Sequence, residues 1–385
     1  MKNFIKKELE KFVSSKFNNV DLLQNINLDI CNNKQQKVLI SYICQSYEED
    51  LDGNNVFHSN YFEINQIVKY FINEGYSVDI INCNRVDLFE KIMHKKYGVI
   101  FGLGKVFDKA KYFYEDAVKI LYMTENRPNL SEKKEKERVE YYKKRYGKTI
   151  KLSRTKKYYT EDSLKNIDHL IILGDIVNFN DIKVNKYYLC PTGLKNENYK
   201  IKKRDINNTK KNFLWFGSNG AIHKGLDILI DVFSKRNDIN LFICGVNKHD
   251  RKILSLKSRD NIKVYKKISV KSNEYIEIID NCSFAILPSC SEATSTSILT
   301  SMRHGLIPIV SENIGFEKYI DEKFILKDYK IEYMEEKINE LIAIDNKEIQ
   351  KTHYLNFEKA NNIFSIERYT EDLNKILNDI FRKGA

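Results

Sequence analysis

The sequence predicts an α/β protein of two doubly wound, Rossmann-like domains facing a cleft. Three observations carry that expectation. From residue 37 onward, short apolar runs alternate with segments whose apolar residues recur at helical spacing. A polar, basic stretch at 200–211 (Lys200 to Lys211, with Asn207, Asn208 and Thr209) reads as a linker, and the rhythm restarts at Phe213. The 385 residues are enough for two domains at roughly 100–200 residues each. The expected units are 1–200, 201–364 and a last helix over 365–385 that returns to the first domain.

Residues 1–30 open with Ile5, Leu9, Phe12 and Val13 on one helical face and lysines between them. Such a basic amphipathic helix packs on its own domain or lies on a membrane surface. Val38–Tyr42 reads as a strand, followed by a polar loop at Asp52–Ser59. Tyr61–Asn73 reads as a helix that Gly75 ends. Strands are then expected at Val78–Ile81, Val99–Phe101, Lys119–Met123, Leu170–Leu173 and Tyr187–Cys190. In the second half the expected strands are Phe213–Phe216, Leu241–Cys244, Ile262–Tyr265, Phe284–Leu287 and Ile307–Val310, with a helix over Gly225–Lys235. Ile366, Tyr369, Leu373, Ile376, Leu377 and Ile380 stripe the last helix.

Composition excludes several classes. With 42% hydrophobic and 30% charged residues the chain can bury a core. Seven scattered cysteines without a C-x-x-C pair read as reduced thiols, not as a disulfide framework or zinc site. No apolar run reaches the roughly 18–20 residues of a membrane span, and no signal-peptide core is present. The expectation is a cytoplasmic protein, soluble or peripheral at the inner face of a membrane. The net charge of +11 suits a phosphate-rich partner or a lysine-rich solvated surface. Residues 133–157 hold twelve Lys or Arg against three Glu, with Tyr141, Tyr142 and Tyr146 interleaved. A helix with a solvated face ranks first for that stretch, a phosphorylated acceptor or membrane second, and nucleic acid last. Arg127, Arg138 and Arg154 are placed at the surface or on acceptor phosphates.

Two segments carry chemistry. In Phe216-Gly217-Ser218-Asn219-Gly220-Ala221-Ile222-His223-Lys224-Gly225, a strand enters a glycine-bearing loop before a helix. Gly217 and Gly220 let backbone approach a ligand, free amides favour an anion, and Lys224 adds positive charge. In Leu287-Pro288-Ser289-Cys290-Ser291-Glu292-Ala293-Thr294-Ser295-Thr296-Ser297, a strand ends at a hydroxyl-rich turn before another helix. Open α/β sheets bind ligands at such turns. Glu292 reads equally as an acceptor for sugar hydroxyls or as a helix cap.

As a pair these segments, from about Phe213 to Phe316, resemble the C-terminal domain of group-1 glycosyltransferases, retaining enzymes of the GT-B fold. The resemblance implies a nucleotide-sugar donor, no bound metal and no cofactor. It implies that Gly217, Lys224 and Gly225 hold the donor diphosphate, and that Pro288, Ser289 and Glu292 form the family's Pro-Ser-x-x-Glu turn. Glu292 would contact the donor sugar, and the amides of Thr294, Ser295 and Thr296 the sugar or phosphate. The sequence departs from the family at Ser218, where an Arg is usual, and at Thr300, where a second Glu meets the ribose. His58, Asn60 and Glu63 open the helix after the 52–59 loop, and His58 would help position the donor phosphate or acceptor from the first domain, or is a helix-capping or surface residue.

The expected catalytic set is therefore Lys224, Glu292 and His58. The donor-binding set is Gly217, Ser218, Gly220, Gly225, Ser289, Thr294, Ser295, Thr296 and Thr300. The implied activity is sugar transfer to a glycan, glycolipid or lipid-linked acceptor in surface polysaccharide synthesis. A non-catalytic homologue that binds a glycan or partner, and a sugar-nucleotide epimerase, are the rival readings.

Overall fold

The structure is a computed structural model that describes residues 21–26, 36–49, 58–312 and 314–382. The basic segment expected as an N-terminal helix, through residue 20, and most of the loop at 52–59 lie outside the described residues. The first domain carries β1 (Leu22–Ile26), β2 (Lys37–Tyr42), β3 (Ser77–Asn82), β4 (Val99–Gly102), β5 (Val118–Met123), β6 (His169–Ile172) and β7 (Asn185–Tyr188). They form one sheet in the order β1-β3-β2-β4-β5-β6-β7. Only β1 runs antiparallel, against β3. Part of the span read as an amphipathic helix is thus this edge strand.

The second domain carries β8 (Asn212–Phe216), β9 (Asn240–Cys244), β10 (Ile262–Val264), β11 (Phe284–Leu287), β12 (Ile307–Ser311) and β13 (Ile325–Leu326). Its sheet is all parallel, in the order β10-β9-β8-β11-β12-β13. Chain order reverses between β8 and β11, and the crevice at such a switch point is where doubly wound sheets take ligands. Helices cover both faces of each sheet, so the central strands are apolar throughout: Val38 to Ile40, and Phe284 to Leu287, are all buried.

Two hydrophobic cores correspond to the two sheets. The chain crosses between them at Leu189 and Cys190, earlier than residue 200. The stretch read as a linker also belongs in part to the second domain. Arg204 is 8% exposed and donates to the carbonyls of Ile279, Cys282 and His304. The last helix, Ile366–Arg382, places Tyr369, Leu373, Ile376, Leu377 and Ile380 in the first core.

The helix Pro128–Tyr146 joins the domains, and it has the solvated face expected of this stretch. Lys133, Lys136, Lys143 and Lys144 do face solvent. Its other face docks on the second domain. Arg138, expected at the surface, is 1% exposed and donates to the Pro288 carbonyl at 2.9 Å. Its guanidinium lies 4.7 Å from the ring centre of Tyr329, an arrangement that offsets part of the desolvation of a buried charge. Arg145 pairs with Asp227 and Asp231, and the Tyr141 hydroxyl accepts from the Ile331 amide at 3.1 Å. Arg127 instead meets Glu161 and Asp181 within its own domain.

Candidate active site

The carboxyl ends of both sheets open onto one cleft of about 320 Å³. The first domain contributes Tyr42 at the end of β2, Leu103 beyond β4, Thr124 to Asn126 beyond β5 and Leu173 beyond β6. The second contributes the loop after β8 and the turn after β11. Strand polarity thus brings distant chain segments to a common edge.

At the centre, Lys224 Nζ lies 3.2 Å from Glu292 Oε1. Both are nearly buried, at 7% and 8% exposure. Glu292 also accepts from Ser289 Oγ at 3.0 Å. Burial opposes charge on Glu292, but Lys224, Arg154 and His223 outweigh it and hold the carboxyl below its usual range. Glu292 is therefore an ionised acceptor fixed in the cleft wall, suited to hydroxyl donors.

His223, just before Lys224, ties that wall together. Its Nε2 donates to the Ser291 carbonyl at 2.7 Å. Its Nδ1 faces Cys290 Sγ at 3.3 Å and Glu135 Oε1 at 3.4 Å. Burial lowers the pKa of this imidazole, but Cys290, Glu135 and Glu292 raise it to about 10. An imidazolium with a proton on each nitrogen satisfies both the carbonyl and the carboxylate.

The hydroxyl-rich turn is pinned from the first domain. Thr294 Oγ1 donates to the Leu173 carbonyl at 2.6 Å. Thr296 Oγ1 lies 3.0 Å from Ser59 Oγ, and Ser291 Oγ lies 2.8 Å from Ser131 Oγ. Ser295 Oγ is engaged with Ser297 Oγ at 3.0 Å. The amides of Thr294 and Ser295 bond to nothing among the described residues. They are donors left for a ligand.

The glycine loop differs from expectation in one respect. The amides of Gly220 and Ala221 are already taken by Asp250 Oδ2, at 2.9 and 3.2 Å. Among the loop amides that bond to nothing among the described residues are those of Ser218 and Asn219, which line the cleft with Gly217. Gly220, Gly225 and Ser289 are not part of the cleft lining. Gly225 (φ +70°) serves packing: a Cβ there would fall 2.4 Å from the Pro288 carbonyl oxygen. Thr300 borders the cleft, but its Oγ1 accepts from the Leu194 amide at 2.9 Å, fixing the interdomain crossing.

His58 faces the cleft from the first domain, and its Nδ1 accepts from the Asn60 amide at 3.2 Å. Cleft solvent reaches the ring, yet protein surrounds it. Desolvation, then Lys224 and Arg154, push its pKa down to about 4, so it is neutral at pH 7. On the floor, Glu63 accepts from Ser59 Oγ at 2.7 Å, Tyr42 at 2.9 Å and Tyr122 at 3.1 Å. Burial raises its carboxyl pKa against those three bonds. Sequence reasoning named Glu63 beside His58 but not its tyrosine partners Tyr42 and Tyr122, nor Glu125, Lys157 and Tyr158, which line the first-domain wall. Their only signal is position at or just past the ends of β2 and β5 or in the basic stretch.

Two parallel-stranded Rossmann-like domains, with a cleft between their carboxyl edges, define a GT-B protein. The comparisons agree. Sucrose-phosphate synthase from Thermosynechococcus elongatus superposes with a TM-score of 0.61 at 12% identity, over 91% of this chain and 100% of that one. HepE from Anabaena, in complex with UDP-glucose, superposes with a TM-score of 0.59 at 11% identity, over 90% of this chain and 100% of that one. TarM of S. aureus, in a complex containing UDP, gives a TM-score of 0.51 at 14% identity, over 73% and 55% of the two chains. No curated protein matches the sequence. Residues 197–356, most of the second domain, match the family described as glycosyl transferases group 1.

Proposed function

We propose that the protein is a glycosyltransferase that takes a sugar from a nucleoside diphosphate sugar and passes it to an acceptor hydroxyl. The observation that carries this reading is the Lys224–Glu292 pair at the switch point of a group-1 domain, beside four unbonded amides. HepE and TarM, of the same fold, are known in complexes with UDP-glucose and UDP, which favours a uridine donor here.

In the reaction, the bond between the anomeric carbon and the diphosphate oxygen breaks, and its electron pair leaves with the diphosphate. The acceptor oxygen forms the new bond, and its proton passes to the leaving group or to solvent. Lys224 and the amides of Ser218, Asn219, Thr294 and Ser295 stabilise the charge that grows on the phosphate. Glu292 holds sugar hydroxyls, and neutral His58 presents a ring nitrogen to donor or acceptor. Retention of configuration and independence of metal follow the group-1 resemblance. The acceptor enters along the first domain, and a glycan or lipid-linked acceptor in surface polysaccharide synthesis, met in the cytoplasm or at the inner membrane face, fits the chain's positive charge. No described helix is long and apolar enough to cross a membrane.

One observation favours a non-catalytic binding module instead. Thr300, where the family has a ribose-binding Glu, spends its hydroxyl on the Leu194 amide. A thermal-shift screen with UDP-, GDP-, ADP- and CMP-sugars, followed by assay of nucleotide release, separates the readings. The transferase reading expects stabilisation by one donor class and release of its nucleotide. Stabilisation without release under any acceptor points to the module.

A further inference from the structure

We propose that Arg154, a residue of the first domain, binds the diphosphate of the donor held by the second, so that the donor site is complete only in the closed cleft. The inference rests on the nucleotide-sugar reading above and adds a residue to that site.

The charge balance of the second domain calls for such a group. Lys224 is the lysine of the donor loop, but its charge is matched by Glu292 at 3.2 Å. A diphosphate ester is doubly anionic and draws a further cation into a partly desolvated cleft. Arg154 lines that cleft beside Ser218, Asn219, Lys224 and Glu292. Its stem lies directly on the glycine loop. A Cβ at Gly220 would fall 2.8 Å from Arg154 Cγ and 3.0 Å from Cδ, so the absence of a side chain there admits the arginine.

The guanidinium itself is little used. Its one ion contact is Nη2 to Glu125 Oε1 at 3.5 Å, and among the described residues its side chain makes no hydrogen bond. The side chain is only 24% exposed. Five N–H donors in a fork that fits phosphate oxygens therefore stand in a cleft with no partner at hydrogen-bond geometry.

The backbone under it is fixed. Glu135 accepts from the amides of Ser153, Arg154 and Thr155 at 2.9, 3.1 and 3.0 Å. The same carboxylate faces His223 of the other domain at 3.4 Å. Arg154 is thus held in register with the residue next to Lys224, and opening the domains would withdraw it from the donor loop. Closure and diphosphate binding are coupled through this side chain.

The test uses the full chain and Arg154→Gln, which keeps the stem on Gly220 and removes the charge. UDP, GDP and ADP are titrated calorimetrically, and the matching nucleosides are followed by saturation-transfer NMR. For the diphosphate that the wild type binds, R154Q is expected to weaken affinity about 10- to 100-fold. Nucleoside affinity should change less than about twofold, and Arg154→Lys should recover part of the loss. Unchanged diphosphate affinity in R154Q, the result expected if Arg154 serves an acceptor anion, overturns this inference and leaves the transferase reading standing. Equal weakening of diphosphate and nucleoside means a structural role and also overturns it. A wild type that binds none of the three diphosphates overturns both.

Discussion

Lys224 and Glu292 meet at 3.2 Å across the switch point of the second sheet, one from the loop after β8 and one from the turn after β11. Removing one partner leaves a nearly buried charge unmatched. Lys224→Ala should lower stability by about 1–3 kcal/mol and slow transfer at least about tenfold. The double variant Lys224→Met, Glu292→Leu should regain stability without regaining turnover. Denaturant titration beside a nucleotide-release assay separates the two effects.

His223 predicts a pH dependence. Its folded pKa of about 10 lies above the ordinary 6.5. A raised pKa contributes stability that is fully present below the unfolded value and is lost as pH rises through the folded one. Unfolding free energy should therefore decline between about pH 6.5 and pH 10. His223→Gln should be less stable at pH 6 and show a flatter slope over that window. Equal slopes would mean that the imidazole is neutral in the fold.

His58 moves the opposite way. With its pKa pushed down to about 4 by desolvation, Lys224 and Arg154, it should stay neutral through pH 5.5. An imidazole carbon resonance that titrates near 4 bears this out, and one near 6.5 places the ring outside the field of those cations.

Thr300 separates two roles. If its hydroxyl serves the Leu194 amide, Thr300→Val costs about 1–2 kcal/mol of stability by orphaning a buried N–H, with nucleotide affinity nearly unchanged. A loss of affinity at unchanged stability would assign the hydroxyl to the nucleotide.

Gly225→Ala should be the most damaging of the loop substitutions. The new Cβ meets the Pro288 carbonyl oxygen at 2.4 Å in a left-handed conformation. A loss of at least about 1–3 kcal/mol is expected, read as a lowered denaturation midpoint.

The fold was legible because parallel strands buried on both faces read as apolar runs; Val38–Tyr42 and Phe284–Leu287 sit inside strands of the sheets. The five residues of β1, Leu-Leu-Gln-Asn-Ile, are too short and mixed to stand out. Lys224 and Glu292 were legible because each lies in the short segment that joins a strand to the helix after it. Arg138 and Glu135 were not. Helical spacing tells which residues share a face, but burial of that face is decided by a domain far along the chain. The same holds for Gly220, whose amide goes to Asp250 and whose missing side chain makes room for Arg154.

The most direct measurement is a crystal structure of the full chain with the nucleotide diphosphate that stabilises it. The pyrophosphate is predicted to lie within hydrogen-bond reach of Lys224 Nζ and of the amides at Ser218, Asn219, Thr294 and Ser295. Density for the nucleotide outside this cleft, or none at saturating concentration, would contradict the account.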